Sequence, residues 1–76
     1  MLYTFEFETM AGIEMLDPID LPDLAAVKRE TVKGARSLMS EGIGEGLDRS
    51  GWRVRVYDPA GTCVYQMSFS EVLRLG

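Results

Sequence analysis

The sequence predicts an α+β domain: a ββαββ antiparallel sheet with one amphipathic helix packed on one face and a short C-terminal helical turn. Two observations carry the strands. "LYTFEFE" at residues 2–8 and the pair "WRVRVY" (52–57) and "TCVYQMSF" (62–69) alternate apolar and polar side chains, the period of half-buried strands. A third carries the helix: between these strands, residues 21–41 change to a helical period. Strand pairs on either side of a single amphipathic helix fit an antiparallel sheet that buries one face under that helix.

The elements follow in chain order. In the first strand Tyr3, Phe5 and Phe7 share one face and Thr4, Glu6 and Glu8 the other, with the aromatics facing in. "TMAG" reads as a turn, and "IEML" (13–16) as a short second strand with Ile13 and Met15 on one face. Pro18 has no N–H to donate and is expected to end pairing there.

The helix is expected from about Leu21 to about Glu41, or on toward Leu47. Leu21, Leu24, Ala25, Val32, Ala35, Leu38 and Met39 form its apolar stripe; Arg29, Glu30, Lys33, Arg36, Ser37 and Ser40 lie opposite. Lys28 falls inside the stripe and is read as an edge residue that snorkels its ammonium to water. Gly34 carries a penalty of up to ~1 kcal/mol relative to alanine, and nothing in the pattern accounts for it. Gly42 is expected to stop the helix in a left-handed conformation.

The helix start is dense in aspartate. Asp17, Asp20 and Asp23 surround Pro18 and Pro22. Calcium loops space their oxygen ligands at i, i+2 and i+4; a spacing of three fits helix capping better. Asp20 is assigned as N-cap, Leu21 and Pro22 as the first two helical residues, and Asp23 as a carboxylate in the positive end of the helix dipole.

The last hairpin turns at "DPAG", where Asp58 accepts from nearby backbone, Pro59 fixes φ and Gly61 supplies a positive φ. Cys63, Tyr65, Met67 and Phe69 are expected to face in, and Ser70 to cap a helical turn over "SEVLRL".

Two stretches together resemble a family of small bacterial domains of unknown function: "LPDLAAVKRETVKGARSLMSEG" and "GWRVRVYDPAGTCVYQMSFSEVL". Its members open on an aromatic strand, carry L-P-D-L-x-A-A at the helix start, and end in a hairpin with D-x-x-G followed by Phe. Here Tyr3 and Phe5 match the opening; Leu21, Pro22, Asp23, Leu24, Ala25 and Ala26 the helix start; Glu30, Ala35 and Arg36 the helix body; Asp58, Gly61 and Phe69 the hairpin and its exit. The chain departs from many members in having "ETMAG" where they turn at Asp-Gly. The resemblance implies a small cytoplasmic α+β domain and assigns it no activity.

Composition narrows function by exclusion. A chain of 76 residues is one domain with a small core, and such domains commonly gain stability from disulfides, metals or a partner subunit. Cys63 is the only cysteine and there is no histidine, which removes an internal disulfide, a Cys/His zinc site and any Ser-His-Asp arrangement. Self-association is the remaining staple, so a homodimer is expected. "GIGEG" (42–46) follows a helix and has no Lys-Ser/Thr pair after it, so it fits neither phosphate-binding loop context. Net charge −4 weighs against nucleic acid. No apolar run approaches the ~20 residues of a membrane span, and "MLYTFEFE" lacks the form of a signal peptide. A cytoplasmic, non-enzymatic interaction or oligomerisation module is expected, with no cofactor and no metal.

The candidate interaction surface is Arg53, Arg55 and Tyr57, with Thr4, Val64 and Gln66 on the same expected face; a strand edge is the alternative contact surface. If the first and third strands are neighbours, Glu6 and Glu8 pair with these arginines. If they are apart, the three residues form a cationic-aromatic strip able to hold an acidic partner or single-stranded nucleic acid.

Overall fold

The computed structural model describes residues 1–46 and 49–74. β1 spans Leu2–Thr9, β2 Gly12–Met15, β3 Ile19–Asp20, β4 Arg53–Tyr57 and β5 Cys63–Ser68; α1 spans Leu24–Gly44 and α2 Phe69–Arg74. Among the described residues the sheet runs β2-β1-β4-β5, with β3 also pairing on β1, and every pairing is antiparallel. The α+β prediction holds. The first strand lies beside β4, so the sheet's centre joins residues some fifty positions apart: Glu6 stands opposite Arg55.

One face of the sheet makes the core. Tyr3, Phe5 and Phe7 from β1, Val54 and Val56 from β4, and Met67 from β5 are buried against Val27, Ala35 and Met39 of α1 and Phe69 and Val72 of α2. Phe69 lies at the junction of β5 and α2. Its ring meets Phe7 edge-on, centroids 6.1 Å apart, and lies 5.8 Å from Trp52.

The helix starts three residues later than the pattern placed it. Asp23 is the N-cap: its backbone is extended and its Oδ1 accepts from Ala26 N–H at 2.8 Å. Asp20 lies in β3, opposite Leu2, and its Oδ1 receives the Met1 amino group at 2.8 Å. Pro18 therefore only interrupts the edge strand, and pairing resumes at Ile19 and Asp20 because Leu2 and Tyr3 of β1 extend beyond the reach of β2. We expect Asp23→Ala to lower stability by about 1 kcal/mol in urea denaturation, and Asp20→Ala, on an exposed ion pair, by well under half of that. The opposite ranking would return the cap to Asp20.

The later start also turns the buried stripe. Ala26, Val27, Thr31, Ala35, Met39 and Gly42 are the buried residues of α1, whereas Leu24 and Ala25, expected inside, are exposed. Thr31 is tolerated because its hydroxyl donates to Val27 C=O at 2.8 Å. Lys28 behaves as expected, exposed with Nζ 5.8 Å from the Tyr65 ring centroid. A Cβ on Gly34 would meet nothing within 4 Å, so the structure gives no reason for glycine there.

Gly42 does not end the helix. It is a buried helical residue, and a Cβ there would lie 2.9 Å from the Arg49 side chain. The positive φ falls at Gly46 (+77°), whose N–H donates to Ile43 C=O, with Glu45 as C-cap. Leu47, to which the helix pattern could extend, and Leu75 of the closing turn lie outside the described residues.

The hairpin turn is built as read. Asp58 Oδ1 accepts from Ala60 and Thr62 N–H, both at 2.9 Å, and Gly61 has φ +84°. Cys63 is a correction. The β4–β5 register pairs Val56 with Tyr65 but Tyr57 with Cys63, so a bulge at Val64 switches Cys63 to the other face, where it is exposed. Ser70 is a second: α2 begins at Phe69, so Ser70 lies within it, its hydroxyl 3.0 Å from that of Ser68.

Candidate interaction surface

The face of the sheet away from α1 is set by alternation. With Phe5 and Phe7 turned to the core, Thr4, Glu6 and Glu8 turn outward, and the register sets them against Tyr57, Arg55 and Arg53. The three predicted residues therefore share one face, and the strands bearing Glu6, Glu8 and the arginines are neighbours. Arg55 Nη1 lies 3.1 Å from Glu6 Oε1 and its Nη2 3.7 Å from Glu8 Oε2. Glu6 is nearly covered although it lies on the open face. Its carboxylate, which accepts from Arg55 Nη1, is the chief cause raising both the Arg55 and the Tyr57 pKa above their usual values. Charge at the centre of this face is thus internally balanced. Arg53 stands opposite Glu8 and Ser68 and is exposed. Of the other residues expected here, Thr4 is half-buried and Gln66 exposed, while Val64 is the bulged residue.

The strands beside β1 complete this face, and sequence reasoning did not single them out. Ile13 stands opposite Glu8 and Met15 opposite Glu6, so both side chains turn outward, at 61% and 56% exposure. All four residues of β2 are exposed. Leu2, Met15, Pro18 and Pro59 flank a shallow groove floored by Glu6 and Tyr57.

The backbone of this edge is open as well. Leu16 N–H donates to Phe5 C=O at 3.0 Å. Hydrogen-bonded and non-bonded pairs alternate along an antiparallel ladder. Gly12, Glu14 and Leu16 therefore turn their N–H and C=O groups toward β1, and Ile13 and Met15 turn theirs away from it. The signal in the sequence was the ordered pair Ile13 and Met15; that their face would lie at an uncovered edge depended on strand order.

Among the described residues no group of three or more Asp, Glu or Cys side chains converges on a possible metal position. Asp17, Asp20 and Asp23 are all exposed, and the contacts of Asp20 and Asp23 are those of strand and cap. No helix among the described residues is long and apolar enough to cross a membrane.

No curated protein and no solved structure matches the chain. A family model does, over residues 2–70, which is most of the chain. By that match the chain belongs to the family described as Domain of unknown function (DUF6894).

Proposed function

We propose that this domain is a non-enzymatic interaction module whose contact surface is the β2 edge, and that it self-associates there. One observation supports this above the others: β2 is an uncovered edge strand that offers exposed Ile13 and Met15 together with their outward backbone groups. Exposed, apolar edge strands are pairing sites unless blocked by proline, charge or a bulge. β2 carries a single charge, Glu14, and no proline. Leu2, Met10, Leu16 and Ile19 lengthen the apolar stretch around it.

A second copy suits this edge because a strand can pair with itself about a two-fold axis. A register centred on Ile13 opposes Ile13 to its own equivalent and sets Glu14 across from the partner's Gly12, which keeps the two Glu14 carboxylates apart. Such an association would supply the stability that a small core with one cysteine lacks. The β4 surface is the weaker candidate, since Glu6 and Glu8 already occupy Arg55. With Arg55 so held, Arg53 alone of the two arginines is left to support nucleic-acid binding on this surface. The lack of histidine in the sequence, and of any group of three or more converging Asp, Glu or Cys side chains among the described residues, supports a non-enzymatic role.

Light scattering coupled to gel filtration tests the reading. At micromolar concentration the mass should be twice the 8.5 kDa of the chain. Ile13→Lys with Met15→Lys should return it to one chain mass with unchanged far-UV circular dichroism. A wild-type protein that remains monomeric there would sink the proposal.

A further inference from the structure

The charges of this chain are segregated. Residues 24–40 hold Lys28, Arg29, Lys33 and Arg36 against one carboxylate, Glu30, a net charge of +3; the rest of the chain is net −7. Four of the eight cations thus lie within nine residues of α1, Lys28 to Arg36. All four are exposed, and among the described residues none lies within ion-pair distance of a carboxylate. Arg49 and Arg55, by contrast, are each held by two glutamates. Four of the six arginines and lysines without an ion pair among the described residues therefore lie on one helix face.

This face also has an apolar centre. Lys28, Arg29, Lys33 and Arg36 line a shallow depression together with Val32, which is half-buried and packs against the core from this side. The aliphatic stems of lysine and arginine form apolar walls while their heads remain in water. Lys28 is further placed by its position over the Tyr65 ring.

We propose that this strip docks an acidic, amphipathic segment of a partner protein, with carboxylates on the four cations and an apolar side chain on Val32. The dimensions favour a peptide over nucleic acid. Lys28 to Arg36 spans about 12 Å along the helix at 1.5 Å per residue. A duplex carries one charge per about 1.7 Å and runs well past such a patch, along a protein whose other residues are net negative. A short acidic segment meets only the cationic strip, and its apolar side chain has a receptor that a phosphate backbone would leave unused. The site is separate from the β2 edge, so it does not depend on self-association.

Fluorescence anisotropy with a labelled synthetic peptide of Glu-Glu-Leu-Leu repeats tests it, with a short DNA duplex and an all-glutamate peptide as comparators. The amphipathic peptide should bind at low salt, weaken as sodium chloride rises, and bind more tightly than either comparator. Lys33→Glu with Arg36→Glu should reduce its affinity by about tenfold or more, and Val32→Ala by a smaller factor, each with unchanged circular dichroism. Arg53→Ala, on the other side of the sheet, should leave binding unaltered. No binding to the wild-type protein overturns the proposal, as does equal loss in the Arg53 variant. Tighter binding of the duplex would assign the strip to nucleic acid instead, and equal binding of the all-glutamate peptide would remove the role of Val32.

Discussion

Phe69→Ala should leave little of the folded domain at physiological temperature. Phe69 is fully buried where β5 passes into α2, edge-on to Phe7 and against Trp52, and its N–H donates to Trp52 C=O at 2.8 Å. Truncation of a buried phenylalanine costs about 3–5 kcal/mol. A 76-residue domain at 0.05–0.15 kcal/mol per residue holds only about 4–11 kcal/mol in total. The residue cannot be absorbed by collapse of one neighbour, because its ring supports the first strand, the last strand and the C-terminal helix together. Thermal unfolding followed by circular dichroism should show the midpoint lowered by roughly 15 °C or more. A fall of only a few degrees would mean that the core is not organised around this ring.

Arg49→Ala should follow, at about 2–3 kcal/mol. Nη1 donates to Leu38 C=O at 2.9 Å, and the guanidinium lies 4.7 Å from the Trp52 ring centroid. A charged hydrogen bond contributes about 1.5–3 kcal/mol, and a cation–π contact at a partly exposed site about 0.5–1 kcal/mol. The contacts with Glu45 at 3.3 Å and Glu41 at 3.8 Å add little, because both carboxylates are exposed. Arg49 thus ties the end of α1 to the start of the final hairpin, lying across Gly42. Arg49→Lys should recover only a minor part of the loss, since an ammonium cannot both reach the carbonyl and stack flat on the indole. Urea denaturation of the three proteins measures this; a loss below about 0.5 kcal/mol for the alanine variant would contradict it.

These residues also show what the sequence disclosed and what it withheld. The aromatic alternation of Tyr3, Phe5 and Phe7 and the Asp58–Gly61 turn are local patterns, and the structure follows them. The helix start differs from its local pattern because two aspartates compete for the cap, and what decides between them is non-local: Asp20 is drawn into a strand opposite Leu2. Gly42 has the local pattern of a helix stop and is not one for the same reason, since its neighbour in space, Arg49, reaches it across the helix end. Cys63 departs from the alternation of its strand because of the bulge at Val64, which carries no glycine to announce it. At the candidate surface, pairing of Glu6 with Arg55 could be foreseen only on condition that β1 adjoins β4. The uncovered β2 edge could not be foreseen, because strand order lies outside any periodicity.

The placement of β1 beside β4 has a consequence for how the chain reaches this structure. The β4–β5 hairpin closes over a few residues and can form on its own. The sheet's centre joins Glu6 to Arg55, 49 positions on, and needs a long loop closed first. Such non-local pairing slows folding. During synthesis the aromatic first strand emerges early and waits, with Tyr3, Phe5 and Phe7 uncovered, until the strand that completes it leaves the ribosome. The interval in which this chain is most open to wrong association is thus set by its topology, and it ends only when the last third of the domain has been made.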